Sequence, residues 1–143
     1  MFIGEYRHTI DSKERLALPV KFRRELGKQV VITRGLDNCL IVYPQKEWRV
    51  MSDKLGKLPA SQPEARGFAR IMLAGAMEVK LDKLGRILIP EYLKKYASSK
   101  KDVIICGIFN RIEIWDAEKW KKYKDNIEGR VEDLAAKLKE LGI

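Results

Sequence analysis

Apolar residues recur along this chain in two rhythms. Alternation with a period of two, as in Arg111-Ile112-Glu113-Ile114-Trp115, predicts half-buried strands. VKFRREL and EYLKKYA instead carry apolar residues on one helical face and basic residues on the other. The pattern predicts strands at residues 5–10, 16–18, 30–33 and 39–43, and again at 77–81, 87–89, 102–106 and 111–115. Pro19 and Pro90 stand before the two helical stretches, where a fixed φ suits a first turn and the missing N–H is not needed. Gly27 provides a stop for the first helix, and Ser98-Ser99 a weaker one for the second. Between these two sets, residues 44–51 open a helix, KLGKLPASQPE is a polar bend, and ARGFARIMLAGA predicts a helix rich in small residues. From Ala117 onward, Trp120, Tyr123, Ile127, Val131, Leu134, Leu138 and Leu141 recur at threes and fours, the stripe of a long amphipathic helix that Gly129 interrupts.

The two sets of elements follow one plan. Asp11, Arg15 and Pro19 align with Asp82, Arg86 and Pro90 at a shift of 71. With one residue inserted in the second copy, Val31, Gly35, Asn38, Val42, Tyr43 and Trp48 align with Val103, Gly107, Asn110, Ile114, Trp115 and Trp120. This is a duplicated unit of about 43 residues, a signature of internal repetition. The expected organisation is a first repeat over 5–47, a helical connection over 48–75, a second repeat over 76–119 and a C-terminal amphipathic helix over 120–143. Four short strands and one short helix cannot bury a sufficient core alone. The two copies are therefore expected to pack as an intertwined pseudo-twofold pair, giving a mainly β, α+β fold.

Composition narrows the function. The 143 residues carry a formal net charge of +9, and the pI is near 9.6. That balance favours a polyanionic partner, because clustered cations gain by displacing counterions from phosphates. Cys39 and Cys106 lie in apolar runs, as buried free thiols do. His8 is the only histidine, so neither a metal cluster nor a His-based nucleophile has material to work with. No glycine-rich phosphate loop, catalytic carboxylate pair or nucleophile elbow is present. Neither an apolar run of membrane-spanning length nor a signal-peptide core appears. The expectation is a cytoplasmic protein that is not an enzyme, with no cofactor, metal, membrane or small-molecule substrate.

The repeated D-x-x-x-R stretch is the strongest candidate for function. At a hairpin tip, the Asp accepts turn N–H groups and stiffens the loop, and Gly85 is free to take positive φ. The Arg then projects from a fixed base, with a planar fork matched to phosphates or to the guanine edge. The alternative is an Asp–Arg ion pair that braces the turn and binds nothing; repetition on a basic chain favours the first reading. Arg7, Lys13, Lys80 and Lys83, near the loop bases, are candidate phosphate contacts, and His8 is read as a strand-surface residue. Lys21, Arg23 and Arg24 extend this basic surface if their helix lies beside the loops. They form a solvated face if it lies opposite, which is the favoured placement. Trp48 and Trp120 hold equivalent positions and are expected to be structural anchors.

The opening MFIGEYRHTID, the stretch LDKLGRILIP, Gly107 and IEIWDAEKW together resemble the MraZ family of bacterial transcriptional regulators, built from two repeats of the SpoVT/AbrB type. The resemblance runs from Met1 to the tail. It implies an AbrB-like β-barrel made by two repeats of one chain, assembly of subunits into rings, and binding of double-stranded DNA at short direct repeats upstream of the division and cell wall gene cluster. It places DNA contact on Asp11 and Arg15 in the first copy and on Asp82 and Arg86 in the second, in a nucleoid-associated homo-oligomer. One departure stands out: where the family has Lys-Gly-Arg, the first copy has Lys13-Glu14-Arg15. If position 14 is left-handed, Glu costs roughly 1–2 kcal/mol there, and its charge would oppose nearby phosphates. In the second copy Leu84 replaces a usually polar residue. An antitoxin-type interaction module is the alternative class. Such tails are typically disordered alone, whereas this tail carries a folded amphipathic pattern.

Overall fold

The computed structural model describes residues 1–143. Each copy delivers the four strands and one helix that its pattern predicts. The first contains β1 (Phe2–Thr9), β2 (Arg15–Ala17), α1 (Val20–Leu26), β3 (Gln29–Arg34) and β4 (Leu40–Pro44). The second contains β5 (Met77–Lys80), β6 (Arg86–Leu88), α4 (Glu91–Tyr96), β7 (Asp102–Phe109) and β8 (Arg111–Asp116). Between them run α2 (Gln45–Gly56) and α3 (Pro63–Ala74); after them come α5 (Ala117–Glu128) and α6 (Val131–Lys137). Pro19 and Pro90 sit immediately before α1 and α4, as N-caps.

The strands interleave. Six form one antiparallel sheet in the order β1-β7-β8-β4-β3-β5, and β2 pairs with β6 in a separate two-stranded ribbon. The registers expose the pseudo-twofold axis. Leu16 faces Ile87, its own counterpart, flanked by Arg15 opposite Leu88 and Ala17 opposite Arg86. Ile41 likewise faces its counterpart Glu113, flanked by Leu40–Ile114 and Val42–Ile112. The structure is a mixed α+β fold of antiparallel strands. Its hydrogen bonding leaves β1 and β5 as the two ends of the sheet rather than closing it.

One core serves both copies. Apart from Phe2 and Ile10, its 18 buried residues fall in equivalent pairs, among them Leu16/Ile87, Leu18/Ile89 and Phe22/Leu93. Neither copy could close that cluster alone, so the repeats form one interlocked unit and not two beads. On the sheet's other face, Cys39, Ile104, Cys106 and Trp115 make a smaller cluster. Both cysteines are free thiols, and burial pushes Cys106 up to about 12. Trp48 packs on Tyr43 with centroids 5.7 Å apart, and Trp120 on Trp115 at 5.3 Å. The two tryptophans thus repeat one anchoring contact.

Three details differ from the sequence expectations. The strand pairings equate Val103 with Val30, not Val31, because Lys80 faces Gln29 as Thr9 faces Asp102. The second copy thus has two extra residues between α4 and β7, and the first copy one extra in its β3–β4 connection. β1 pairs over eight positions with β7, whereas β5 pairs over four with β3. The chain before β5 is instead taken up by α3, whose end is held by Thr33 Oγ1 donating to the Met72 carbonyl (2.9 Å) and by Arg34 donating to that of Ile71 (3.2 Å). Finally, the tail is not one helix: α5 stops at Gly129, and α6 restarts after Arg130 at φ −128°. No helix is long and apolar enough to cross a membrane.

Candidate nucleic-acid interface

The two D-x-x-x-R turns join β1 to β2 and β5 to β6. Each is a closed ring of hydrogen bonds around one carboxylate. In the first, Asp11 Oδ1 accepts from the backbone N–H groups of Lys13 (2.8 Å) and Arg15 (3.0 Å), and Oδ2 accepts from Arg15 Nε (3.0 Å). In the second, Asp82 Oδ1 accepts from Leu84 and Arg86 N–H groups (both 2.9 Å), and Oδ2 from Arg86 Nε (2.7 Å). Backbone bonds complete both rings: Asp11 N–H donates to the Arg15 carbonyl and Asp82 N–H to that of Arg86, each at 2.9 Å. The donated N–H groups, Arg15's foremost in the first turn and Arg86's in the second, hold both carboxyls below the usual Asp value.

Both sequence readings of the motif therefore describe part of it. The Arg does brace the turn, and it does not project freely. The Arg86 side chain keeps 26% of its exposure and Arg15 33%. Each is pinned through Nε, so the outer guanidinium nitrogens stand in a fixed plane and orientation. The turns lie side by side, with Arg86 Nη1 4.0 Å from Asp11 Oδ2. The positive φ expected at Gly85 is present at 73°, and Glu14, where it was only a condition, is left-handed too at 62°.

The remaining candidates separate into two groups. Lys13 and Lys83 are exposed on the turns themselves. Lys80 closes β5 just before the second turn and is exposed. Arg7 stands on β1, two residues before its end, and reaches Asp102 at 3.3 Å. His8 is a half-buried strand residue, as expected.

The favoured placement of α1 is overturned. Its basic face does not point away from the loops: Arg23 lies directly on Gly85, so close that a Cβ at 85 would come within 2.1 Å of Nε. Arg23 Nε donates to the Leu18 carbonyl at 2.9 Å, which fixes the side chain there. Arg23, Arg24, Lys28 and Lys83 line an open notch beside the second turn. In the other half, Lys94 occupies the equivalent helical position and reaches Glu14 Oε2 at 2.6 Å. Glu14 is thus paired rather than a bare charge beside the turn. Sequence reasoning missed Lys94, although the shift of 71 that relates Arg23 to Lys94 and Gly85 to Glu14 was available to find it.

Comparisons with known proteins agree with this duplicated architecture. The family model described as "MraZ protein, putative antitoxin-like" matches twice, over residues 1–71 and 72–141. A protein of Clostridium tetani named "Transcriptional regulator MraZ" is 52% identical, with both chains covered completely. Proteins of the same name from Natranaerobius thermophilus and Caldicellulosiruptor saccharolyticus are 48% and 50% identical, again over the whole of both chains. The name is that of a transcriptional regulator and not of an enzyme. With two family matches spanning nearly its whole length and relatives at about half identity end to end, the chain belongs to the MraZ family.

Proposed function

We propose that this protein is a sequence-specific, double-stranded-DNA-binding transcriptional regulator that acts through its two D-x-x-x-R turns. The observation that carries the reading is the pinned guanidinium. Each Arg is anchored through Nε to an Asp that is itself fixed by two backbone donors, which leaves the outer nitrogens preorganised for a phosphate or a guanine edge. Lys13 and Lys83 on the turns, with Lys80 and Arg7 at their bases, supply phosphate contacts that position the turns without reading sequence.

Two turns per chain make few base contacts, so affinity comes from several chains engaging together on short direct repeats. A homo-oligomer, in ring form, fits that requirement, as does a cytoplasmic, nucleoid-associated location. The ribbon of β2 and β6 follows on from the two end strands, β1 and β5, with Ile10 bridging to Leu16. We read it as the closure of an AbrB-like barrel, with the operator turns at its rim. An antitoxin-type module is the lesser reading, since the tail of this chain is folded into α5 and α6.

A gel-shift titration of the region upstream of the protein's own gene tests the proposal. Binding is expected to prefer that region over scrambled duplex, to fall with salt, and to disappear in Arg86→Ala. Equal affinity for both duplexes removes the sequence-reading role. Light scattering on the free protein tests the assembly: monomer at micromolar concentration with specific binding retained removes the ring.

A further inference from the structure

The four residues Arg23, Gly85, Lys94 and Glu14 form two symmetry-related pairs that cross between the repeats. α1 of the first copy covers the second copy's turn, and α4 of the second copy covers the first copy's turn. The backbone under each cation is the same left-handed position, φ 73° at Gly85 and 62° at Glu14. What differs is the charge that reaches the surface. Over the second turn there is no side chain at 85, and none could coexist with Arg23 in its present place. Arg23 uses Nε on a backbone carbonyl and pairs with no carboxylate, so its full positive charge stays available. Over the first turn, the Glu14 carboxylate occupies Lys94 at 2.6 Å.

We propose that Arg23 and Lys94 are equivalent phosphate-contacting cations, and that Glu14 engages Lys94 so that the two turns of each chain grip DNA unequally. The inference rests on the DNA-binding reading above but concerns different residues. Arg23 stands among Arg24, Lys28 and Lys83 around the notch beside the second turn, a concentration of positive charge able to displace counterions from a DNA backbone. Asp82 also lines that notch, but its charge is already taken by Arg86. A phosphate approaching the second turn meets Arg23 directly; one approaching the first turn must compete with Glu14 for Lys94. Because Glu14 sits on the turn itself, that competition acts close to Arg15. It weakens the first turn without altering the hydrogen-bond ring that shapes it.

The test uses the full chain, with a duplex from its own upstream region and a scrambled duplex of the same length, each titrated over a range of salt. Arg23→Gln is expected to weaken binding to both duplexes and to lower the salt slope by roughly 1 for each engaged chain, as a lost phosphate contact does. Glu14→Gln is expected to tighten binding to both duplexes and to steepen the salt dependence. That gain is expected to be clearly smaller when Glu14→Gln is made in a Lys94→Gln background, where only the repulsion by the carboxylate is relieved. If the gain is as large without Lys94 as with it, the pairing is irrelevant and the proposal is overturned. An unchanged salt slope in a folded Arg23→Gln protein overturns it as well. If the Leu18 contact proves necessary for folding, the Glu14 and Lys94 variants decide alone, since neither side chain enters the core. If the wild type does not distinguish the duplexes but these salt slopes shift as stated, the sequence-reading function fails while this inference stands.

Discussion

The turns at 11–15 and 82–86 close the same ring of hydrogen bonds, yet one holds Glu where the other holds Gly. The left-handed backbone is therefore imposed by the Asp carboxylate and its donors, and not by the freedom of glycine. Glycine at 85 answers a second requirement, because Arg23 fills the space a Cβ would need. In the first turn that space is open to a side chain, and Lys94 gives the side chain a partner. Left-handed Glu costs roughly 1–2 kcal/mol, and a partly exposed ion pair returns roughly 0.2–1 kcal/mol. The pair offsets part of the strain, and the ring of hydrogen bonds must carry the rest.

The sharpest way to break the comparison is to remove the Arg from each turn. Arg86→Ala is expected to abolish operator binding, because the loss recurs in every chain of an assembly. Since Arg86 Nε also braces Asp82, a small drop in melting temperature is expected beside it, and the fold survives because the ribbon core at Leu16 and Ile87 is untouched. Arg15→Ala is expected to weaken binding less, the first turn being already compromised by Glu14. Equal losses in the two variants, measured by gel shift at one salt concentration, would show that position 14 has no bearing on grip.

Gly85→Ala attacks the second turn from the backbone. A Cβ at φ 73° is strained, and it meets Arg23 at a distance no side-chain carbon tolerates. The expected loss is about 1–2 kcal/mol of stability from the backbone alone, with Arg23 displaced and binding weakened as a second readout. Chemical denaturation measures the first effect, and a Gly85→Ala protein as stable as wild type would show that the left-handed position at 85 carries no penalty for a side chain.

Acid treats the two turns alike, and this is a smaller effect. Both Asp carboxyls are held below the usual Asp value in the folded protein because the turn's N–H groups donate to the charged form. Their folded values are depressed, so the stability they contribute is complete above the unfolded value and is lost as pH falls through the folded one. Turn geometry is thus expected to be indifferent to pH near neutrality and to fail only in acid. Carboxyl chemical shifts followed by NMR check this; a midpoint at or above that of an Asp in an unstructured peptide, for either residue, contradicts the ring.

The contrast between the turns also marks how far the sequence could be read. The duplication was legible because Asp, Arg and Pro recur at a constant shift, and the α+β plan because alternation and amphipathic faces are local properties. Positive φ at 85 was legible from its glycine, whereas at 14 the glutamate left the turn's conformation open. Hidden from view was whatever depends on how one copy lies across the other. Arg23 sits on Gly85 only because the helix of one repeat crosses to the turn of its partner, a contact between residues far apart in the chain. The slip between Val30 and Val103 was hidden for a related reason, since apolar neighbours at 30 and 31 satisfy the pattern equally and pairing with β5 alone chooses between them. Gly129 was legible as an interruption of the tail, but not as the division into two helices, because the apolar spacing continues past it.

The smallest expected change comes from making the first turn resemble the second. Glu14→Gly relieves the left-handed strain, roughly 1–2 kcal/mol. It also removes the pair with Lys94, roughly 0.2–1 kcal/mol, and gives the unfolded chain more freedom, about 0.4–1 kcal/mol in the opposite direction. These terms nearly cancel, so stability is expected to stay level or rise slightly. DNA binding is expected to tighten, because Lys94 is freed and a negative charge leaves the turn, and its salt dependence to steepen. Melting temperature and a salt-titrated gel shift, taken on the same preparation, separate the two consequences. Weaker binding by a Glu14→Gly protein of unchanged stability would show that Glu14 makes a contact of its own, such as accepting from a cytosine amino group.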